Sequence, residues 1–266
     1  MQPLFDAGVN LFSPSFAENR EQIVLDAWQN GLSGLLLISS DIKESQQQQQ
    51  FALSDPRLYC TAGVHPHQAS QVEPDWLSLL TQMLHLPQVV AVGECGLDFN
   101  RNFSAPEQQI KVFEAQLQLA ISHKKPVYLH ERDAFECQLD MLNRYPGLTG
   151  VAHCFTGDKT QLQAYLDLGL YIGITGWLCD QSRGMDLMDA VRYLPLDRLI
   201  LETDSPFLLP KTMRNKPKSR INQPAFLVEI AAELSRLTGH SLDDIAFNSK
   251  KNSLNLFQIT ADEYAL

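Results

Sequence analysis

The sequence predicts a single (β/α)8 TIM barrel, in which eight parallel strands alternate with helices. Its 266 residues are close to the length that one such barrel usually takes. Eight short segments are almost continuously apolar, which is typical of parallel strands buried on both faces. Amphipathic helical patterns separate these segments, and no linker or shift in composition divides the chain. We therefore expect one domain over residues 1–266.

The apolar segments recur along the whole chain. The main alternative to a barrel is an open, doubly wound sheet, and a nucleotide-binding sheet of that kind usually has a glycine-rich turn after its first strand. The segment Asp6–Asn10 lacks this turn, which favours the barrel. The predicted strands are Leu4–Val9, Gly34–Ser39, Leu58–Val64, Val89–Gly93, Pro126–His130, Gly150–His153, Tyr171–Thr175 and Leu199–Thr203.

Helix boundaries are clearest after the fourth and eighth strands. The segment Ser104–Glu107 has the Ser-x-x-Glu pattern of a capping box with an early proline, which predicts a helix start. Gly239 predicts a helix end, and Ser241 the start of a final helix towards Phe257. The low-complexity run Gln46–Gln50 predicts a solvated helix face. The apolar faces of the two helices are marked by Ile110, Phe113, Leu117 and Ile121, and by Leu227, Ile230, Leu234 and Leu237.

Composition narrows the functional classes. A formal net charge of −10 excludes a global basic field, so a polyanionic substrate would have to meet a local basic patch or a metal ion. No apolar stretch approaches the roughly 20 residues that span a bilayer, and the N-terminus does not resemble a signal peptide. Five cysteines without a Cys-x-x-Cys pair indicate reduced thiols. We expect a monomeric cytoplasmic protein without membrane contact.

Ionisable side chains follow five of the predicted strands. The carboxyl ends of parallel strands meet at one mouth of a barrel, where enzymes with this fold carry their catalytic residues. Each side chain alone has a structural explanation, but burying several together is costly unless they are paired or bind a metal. The sequence therefore predicts a divalent metal site that activates water for hydrolysis. The residues, after strands three, four, five, six and eight, are His65, Glu94, His130, His153 and Asp204.

Neighbours of these candidates have expected roles of their own. Glu202 and Asp204 would share one strand face if the eighth strand continues that far. We favour Asp204 as the ligand because it is nearer the rim, and we expect Glu202 to orient a neighbouring group. Cys95 and Cys154 each follow a candidate ligand, so their thiols are expected to point outward into the barrel wall.

Four segments in order along the chain resemble the TatD family of deoxyribonucleases, and these are Gly63–His67, Gly93–Phe99, His153–Gly157 and Leu201–Pro206. The resemblance runs from the first strand into the last helices. It implies a metal-dependent barrel of the amidohydrolase type that hydrolyses phosphodiester bonds as a 3′-to-5′ exonuclease on single-stranded DNA or RNA with magnesium. It also implies that the metal ligands are Glu94, His130, His153 and Asp204.

One departure from the family pattern lies at the end of the first strand. Most of the family has a His-x-His pair there that supplies two further ligands, whereas this chain has Gly8 and Asn10. Together with Gly173–Trp177, this version resembles one member of the family rather than its paralogues. We predict one well-held metal, at most a weak second one, and a supporting role for Asn10. Two histidine ligands suit Zn²⁺ or Mn²⁺ better than Mg²⁺, so the resemblance and the ligand chemistry favour different metals.

Substrate contacts are predicted around the same mouth. Asp204 or Glu94 would accept a proton from the attacking water. His65 could hydrogen-bond a phosphate, hold a ligand's carboxylate or order the turn at Pro66. Arg101 and a basic segment after the eighth strand are expected to contact nucleic-acid phosphates without reading sequence. The basic residues of that segment are Lys211, Arg214, Lys216, Lys218 and Arg220.

Two other functions are compatible with these residues. The same barrel and ligands could hydrolyse an ester or amide, such as an aminoacyl–nucleic-acid linkage, because fold does not fix function. A non-catalytic nucleic-acid-binding barrel is a second alternative, but retention of the four other ligands argues against it.

Overall fold

The computed structural model describes residues 2–260, so Met1 and residues 261–266 of the predicted domain lie outside the described residues. Eight strands form one parallel sheet in the order β1 to β8, each hydrogen-bonded to the next along the chain. The predicted (β/α)8 barrel is therefore confirmed. The strands are β1 (Leu4–Val9), β2 (Leu32–Leu37), β3 (Leu58–Ala62), β4 (Val89–Asp98), β5 (Val127–Arg132), β6 (Gly150–Ala152), β7 (Tyr171–Ile174) and β8 (Leu199–Leu201).

The barrel closes between its first and last strands just beyond the regular part of β8. Val9 forms a parallel bridge with Ser205. The Asn10 N–H donates to the Ser205 carbonyl at 2.8 Å, and the Asp204 N–H donates to the Gly8 carbonyl at 2.9 Å. We call these paired segments, Gly8–Asn10 and Asp204–Ser205, the seam.

Helices cover the outside of the barrel. Their apolar residues and alternate strand residues, such as Leu35 and Leu37, form one large core. The intervening strand residues, such as Leu36 and Val90, belong to a second cluster that fills the barrel interior. The helices are α1 (Arg20–Gln29), α2 (Ile42–Ala52), α3 (Trp76–Met83), α4 (Pro106–His123), α5 (Phe135–Asn143), α6 (Lys159–Asp167), α7 (Met185–Ala190), α8 (Leu227–Thr238) and α9 (Leu242–Leu256). Within residues 2–260, none of the helices has the length and apolar character needed to cross a membrane.

Strand boundaries differ from the prediction mainly at the mouth. The strands β4 and β5 pair as far as Asp98 and Arg132, so Glu94 and His130 lie within strands that rise above the barrel rim. The strand β8 ends at Leu201, because the following residues leave the ladder to form the seam. Glu202 and Asp204 therefore do not share a strand face.

Three helix predictions also need correction. The capping box at Ser104 is wrong, since Ala105 is the N-cap of α4 and the Ser104 hydroxyl instead donates to the His67 carbonyl. Ile121 is 41% exposed, so it does not share the buried face of α4. Gln48 is fully buried within the predicted solvated run and donates to the Ile38 carbonyl at 2.7 Å. The end of α8 at Gly239 and the Ser241 cap of α9 are confirmed.

Candidate metal centre

The structure brings the four predicted ligands together at the mouth of the barrel. Glu94 Oε1 lies 2.9 Å from His130 Nδ1 and 3.9 Å from His153 Nε2. His153 Nε2 lies 3.8 Å from Asp204 Oδ1. Donor atoms around one tetrahedral ion with bonds of about 2.0–2.1 Å would stand roughly 3.3 Å apart. The candidate ligand atoms form two adjoining groups, each with its atoms within 4.8 Å of one another, one of His65, Glu94 and His130 and one of His153, Cys154 and Asp204. A single cation held by all four predicted ligands would draw the two groups closer together.

A buried carboxylate orients His153. His153 Nδ1–H donates to Glu202 Oε2 at 2.6 Å, and the Tyr128 hydroxyl donates to the same oxygen. The other oxygen, Glu202 Oε1, accepts the Cys154 N–H at 2.7 Å. With one proton held on Nδ1, Nε2 is the nitrogen that faces Glu94 and Asp204, and it could bind a metal once it loses its own proton.

The glycine at position 8 leaves the space that this network occupies. A β-carbon at Gly8 would collide with the Tyr128 hydroxyl and would lie 2.6 Å from Glu202 Oε2. A β-carbon at Gly173 would collide with the other oxygen of the same carboxylate. The room that a strand-one side chain would need is thus filled by Tyr128 and Glu202.

Sequence reasoning missed Tyr128. The residue lies two positions before His130 on β5, so both side chains face the barrel interior. The spacing of two residues from His130 could have indicated that Tyr128 points into the barrel. A tyrosine in that position needs a buried hydrogen-bond partner for its hydroxyl. Burial and the neighbouring Glu202 carboxylate raise the pKa of Tyr128 well above its usual value, so the hydroxyl stays a donor.

Two further histidines surround Glu94 and His130. His65 Nδ1 accepts the His67 N–H at 3.1 Å, so its Nε2–H points to Glu94 Oε1, 3.4 Å away. His65 therefore orders its turn and also faces a predicted ligand. His67 Nε2 lies 2.6 Å from Asp98 Oδ2, and the same oxygen lies 3.4 Å from His130 Nε2. His67 and Asp98 were not predicted as site residues.

The charges of the site compensate one another when no cation is bound. Burial opposes charge on His130 and His153, but carboxylates beside them raise their pKa values to about 9 and about 10. Burial also opposes charge on Glu94, but His65, His130 and His153 hold its pKa well below the usual range. Protonated imidazoles thus supply the positive charge that a metal would replace.

Asp204 differs from Glu94 in its surroundings. Burial raises the pKa of Asp204 to about 7, with the Glu94 and Glu202 carboxylates adding to the effect. Asn10 Nδ2–H donates to Asp204 Oδ1 at 2.7 Å, which orients the carboxylate from across the seam. Behind it, Asp6 accepts the Thr203 N–H at 2.8 Å and the Thr203 hydroxyl at 2.6 Å.

The prediction that both cysteines point outward is wrong for Cys154. Cys95 is fully buried in the outer core, as expected. Cys154 has a left-handed backbone (φ 45°) because β6 ends at Ala152 and the strand alternation stops there. Its sulfur lies within 4.8 Å of a ligand atom of both His153 and Asp204. Burial raises the pKa of the Cys154 thiol, which therefore stays protonated without a metal.

The predicted phosphate contacts lie at the rim. Arg101 is exposed in the loop after β4, and its N–H donates to Asp98 Oδ1 at 2.9 Å. All five basic residues of the segment after β8 are exposed. Lys211 forms an ion pair with Asp180 at 2.7 Å. The other four form no ion pair with any residue between 2 and 260, and they are Arg214, Lys216, Lys218 and Arg220.

Comparison with known proteins identifies the family. The family model described as TatD related DNase matches residues 5–258, nearly the whole chain. The chain belongs to the TatD-related DNase family. The predicted resemblance, and with it the prediction of a hydrolase barrel of this family, is confirmed.

Individual members of the TatD family are similar over almost their full lengths. A relative from Erwinia billingiae, named 3′-5′ ssDNA/RNA exonuclease TatD, is 47% identical over 262 residues, which cover 97% of this chain and 100% of the relative. The protein of the same name from Salmonella typhimurium is 44% identical over 260 residues, covering 96% and 99%. The crystal structure of a TatD homologue from Escherichia coli K12 is 28% identical with a TM-score of 0.88, covering 97% and 98%.

Proposed function

We propose that this TatD-family protein hydrolyses phosphodiester bonds of single-stranded DNA and RNA from the 3′ end, using a divalent metal. The observation that carries the proposal is the cluster of donor atoms at the mouth of the barrel, where Glu94 Oε1 and His153 Nε2, 3.9 Å apart, link the pair Glu94–His130 to the pair His153–Asp204. The exonuclease names of relatives that are 44–47% identical support the substrate and polarity. Exposed basic side chains beside this site support a polyanionic substrate.

These four residues would hold the metal, which when bound polarises a phosphate oxygen and lowers the pKa of water. Asp204 accepts the proton of the attacking water, because a carboxylate beside that water can act as its general base. Asn10 keeps the Asp204 carboxylate aimed into the site through its hydrogen bond. Glu202 holds the His153 tautomer, and His65 holds Glu94.

The proposed test is a time course with end-labelled single-stranded DNA and RNA, in chelator and in several divalent metals. Metal-dependent release of mononucleotides from the 3′ end is the expected result. Loss of product in chelator and its return with added metal would separate enzymatic hydrolysis from a contaminating metal-independent nuclease. Products from the 5′ end, or no products with any metal, would contradict the proposal.

An ester or amide substrate is a second candidate, favoured by an acidic cleft of about 670 Å³ that reaches Glu131, the residue after His130. Its lining has five carboxylates against the one guanidinium of Arg132, and this excess of negative charge suits a ligand with a cationic group, such as the ammonium of an aminoacyl ester. Aminoacyl-RNA in the same time course tests this function through release of the amino acid. The lining carboxylates belong to Glu131, Asp133, Glu136, Asp158 and Asp186.

We propose one tightly bound metal per chain, since Tyr128 and Glu202 fill the space beside Gly8. Titration of the metal-free protein with Mn²⁺ or Zn²⁺ should give a stoichiometry near one in calorimetry. The affinity should fall as the pH is lowered, because the imidazoles must lose protons whose pKa values are raised. Two tight sites per chain would contradict this proposal.

Metal identity is a separate matter. Magnesium is proposed for activity, and zinc is proposed to stay bound on purification, because imidazole nitrogens and the nearby Cys154 sulfur suit zinc better than magnesium. A monomer in the cytoplasm is proposed for the state and location, and the five free thiols support a reducing compartment.

Neutralising the exposed basic segment should weaken nucleic-acid binding. The triple variant Lys216→Gln, Lys218→Gln and Arg220→Gln should flatten the dependence of log affinity on log salt by up to about 2, since each phosphate contact on a single strand contributes about 0.7. The measurement is binding of a single-stranded oligonucleotide across salt concentrations. An unchanged slope would remove this segment from the binding surface.

A charge-matched control comes from two lysines and one arginine that are exposed at the end of the barrel opposite the mouth. Substituting all three by glutamine changes the net charge by the same amount away from the mouth, so the salt dependence should stay as in the wild type. The control residues are Lys124, Arg192 and Lys251.

A further inference from the structure

Two phenylalanine side chains at the mouth of the barrel are exposed to solvent. Phe103, in the loop after β4, is 66% exposed, and Phe207, in the loop after β8, is 55% exposed. The Phe103 ring forms a T-shaped pair with the His67 ring, with centroids 4.8 Å apart. Phe207 follows Asp204 closely, and its N–H donates to the Asp204 carbonyl at 3.0 Å. A single exposed apolar side chain is common, so exposure alone does not indicate a binding role for these two rings. Such a role depends on where the rings lie relative to the metal centre.

The two rings lie on opposite sides of the metal centre. In an eight-stranded barrel with the strand order β1 to β8, the strands β4 and β8 are four places apart and face each other across the mouth. Glu94 comes from β4, and Asp204 follows β8. Phe103 and Phe207 are thus carried by the same two walls as the predicted ligands, and the metal centre lies between them.

The charges around the mouth favour a polynucleotide in this position. Arg101 precedes Phe103 by two residues, and Arg214, which forms no ion pair with any residue between 2 and 260, follows Phe207 by seven, so each exposed ring has a basic side chain in its own loop. Aromatic rings beside basic residues are the usual means of binding single-stranded nucleic acid. The carboxylates of the acidic cleft, formed mainly by the loops after β5, β6 and β7, repel phosphates from that side.

We propose that Phe103 and Phe207 stack on the bases on either side of the phosphate at the metal centre, and so select unpaired strands. The proposal rests on the proposed nuclease function and extends it to substrate selection. Base faces are free in a single strand but covered in a duplex, so two stacking rings discriminate between these substrates without reading sequence. The basic side chains hold the backbone while the rings hold the bases.

The test compares two oligonucleotides of equal length and charge, one with normal bases and one built of abasic residues, both with phosphorothioate linkages that slow cleavage. Fluorescence anisotropy measures their binding to the metal-loaded wild type and to Phe103→Ala and Phe207→Ala. The variants Phe103→Leu and Phe207→Leu keep an apolar side chain but remove the ring. Phe247→Ala is the matched control, because Phe247 is 53% exposed on α9, away from the mouth.

The wild type and the control should bind the oligonucleotide with bases about tenfold or more tightly than the abasic one. Each alanine or leucine variant at Phe103 or Phe207 should lose a clear part of that difference, since the other ring remains, while its affinity for the abasic oligonucleotide is unchanged. The double variant Phe103→Ala and Phe207→Ala should lose most of the difference. Equal binding of both oligonucleotides by the wild type, or a full difference in either alanine variant, would overturn the proposal.

Cleavage of unmodified single strands by the wild type separates this proposal from the function on which it rests. A wild type that cleaves with metal but shows no preference for bases would overturn stacking alone. Absence of metal-dependent cleavage would overturn both the function and the selection of substrate.

Discussion

We expect Asp204→Asn to lower turnover by about 10³-fold or more while the barrel stays folded. The substitution removes the group proposed to accept the proton of water, a role that by itself contributes about 10²–10⁴-fold. It also replaces an anionic ligand by a neutral amide, so metal affinity should fall. Asp204 has a left-handed backbone (φ 53°), which asparagine adopts as readily as aspartate. Cleavage of end-labelled single-stranded DNA, with circular dichroism of the folded state, measures both effects.

Asp197→Asn is the matched control for this substitution. Asp197 is exposed at the opposite end of β8, where it precedes the strand. The control makes the same chemical change away from the mouth, so turnover and melting temperature should stay near those of the wild type. Full activity in Asp204→Asn would remove Asp204 from the proposed chemistry.

We expect Glu202→Gln to weaken metal binding about 10- to 100-fold, the usual cost of losing a group that orients a ligand. Glu202 accepts three hydrogen bonds, from Tyr128, His153 and the Cys154 N–H, and an amide has only one oxygen to replace the two. If the amide nitrogen faces His153 Nδ1, the imidazole must move its proton to Nε2 and lose the lone pair that faces the site. If the amide nitrogen faces Cys154 instead, its N–H groups meet the backbone N–H of Cys154, and neither can accept a hydrogen bond.

Metal titration of the variant by calorimetry measures this loss, and it does so without any substrate. The free energy of unfolding should also fall by about 1–3 kcal/mol, because a buried donor is left without a partner. Glu233→Gln is the control, since Glu233 is a buried carboxylate on α8 that pairs with Arg236, outside the barrel. It should lower stability without changing metal affinity. Wild-type affinity in Glu202→Gln would contradict an orienting role.

The fold was predictable because the same pattern, an apolar strand followed by an amphipathic helix, recurs eight times along the chain. Each parallel strand buried on both faces gives an apolar run, so errors of a few residues at β2 or β8 leave the order of elements unchanged. The positions of Glu94, His130, His153 and Asp204 followed from the rule that strand ends converge at one mouth.

The details that sequence reasoning missed depend on contacts between distant segments. Ser104 has the local pattern of a helix cap, but a tertiary hydrogen bond to the His67 carbonyl takes its hydroxyl. Cys154 turns towards the site because a left-handed residue breaks the alternation on which the outward prediction relied. Tyr128 looks like an ordinary strand residue, and its partner Glu202 is 74 residues away.

The seam contains both a predicted metal ligand, Asp204, and the backbone hydrogen bonds that close the barrel. The backbone N–H of Asp204 closes the sheet onto Gly8, and the side chain of the same residue receives the amide of Asn10 from the other edge. If the two segments of the seam separated in a local opening, the site would lose the predicted ligand Asp204 and the side-chain amide of Asn10 at the same time. A cation bound at the mouth would favour the closed state by a free energy that grows with the logarithm of its concentration divided by its Kd. Metal binding would therefore stabilise the pairing between the first and last strands of the barrel.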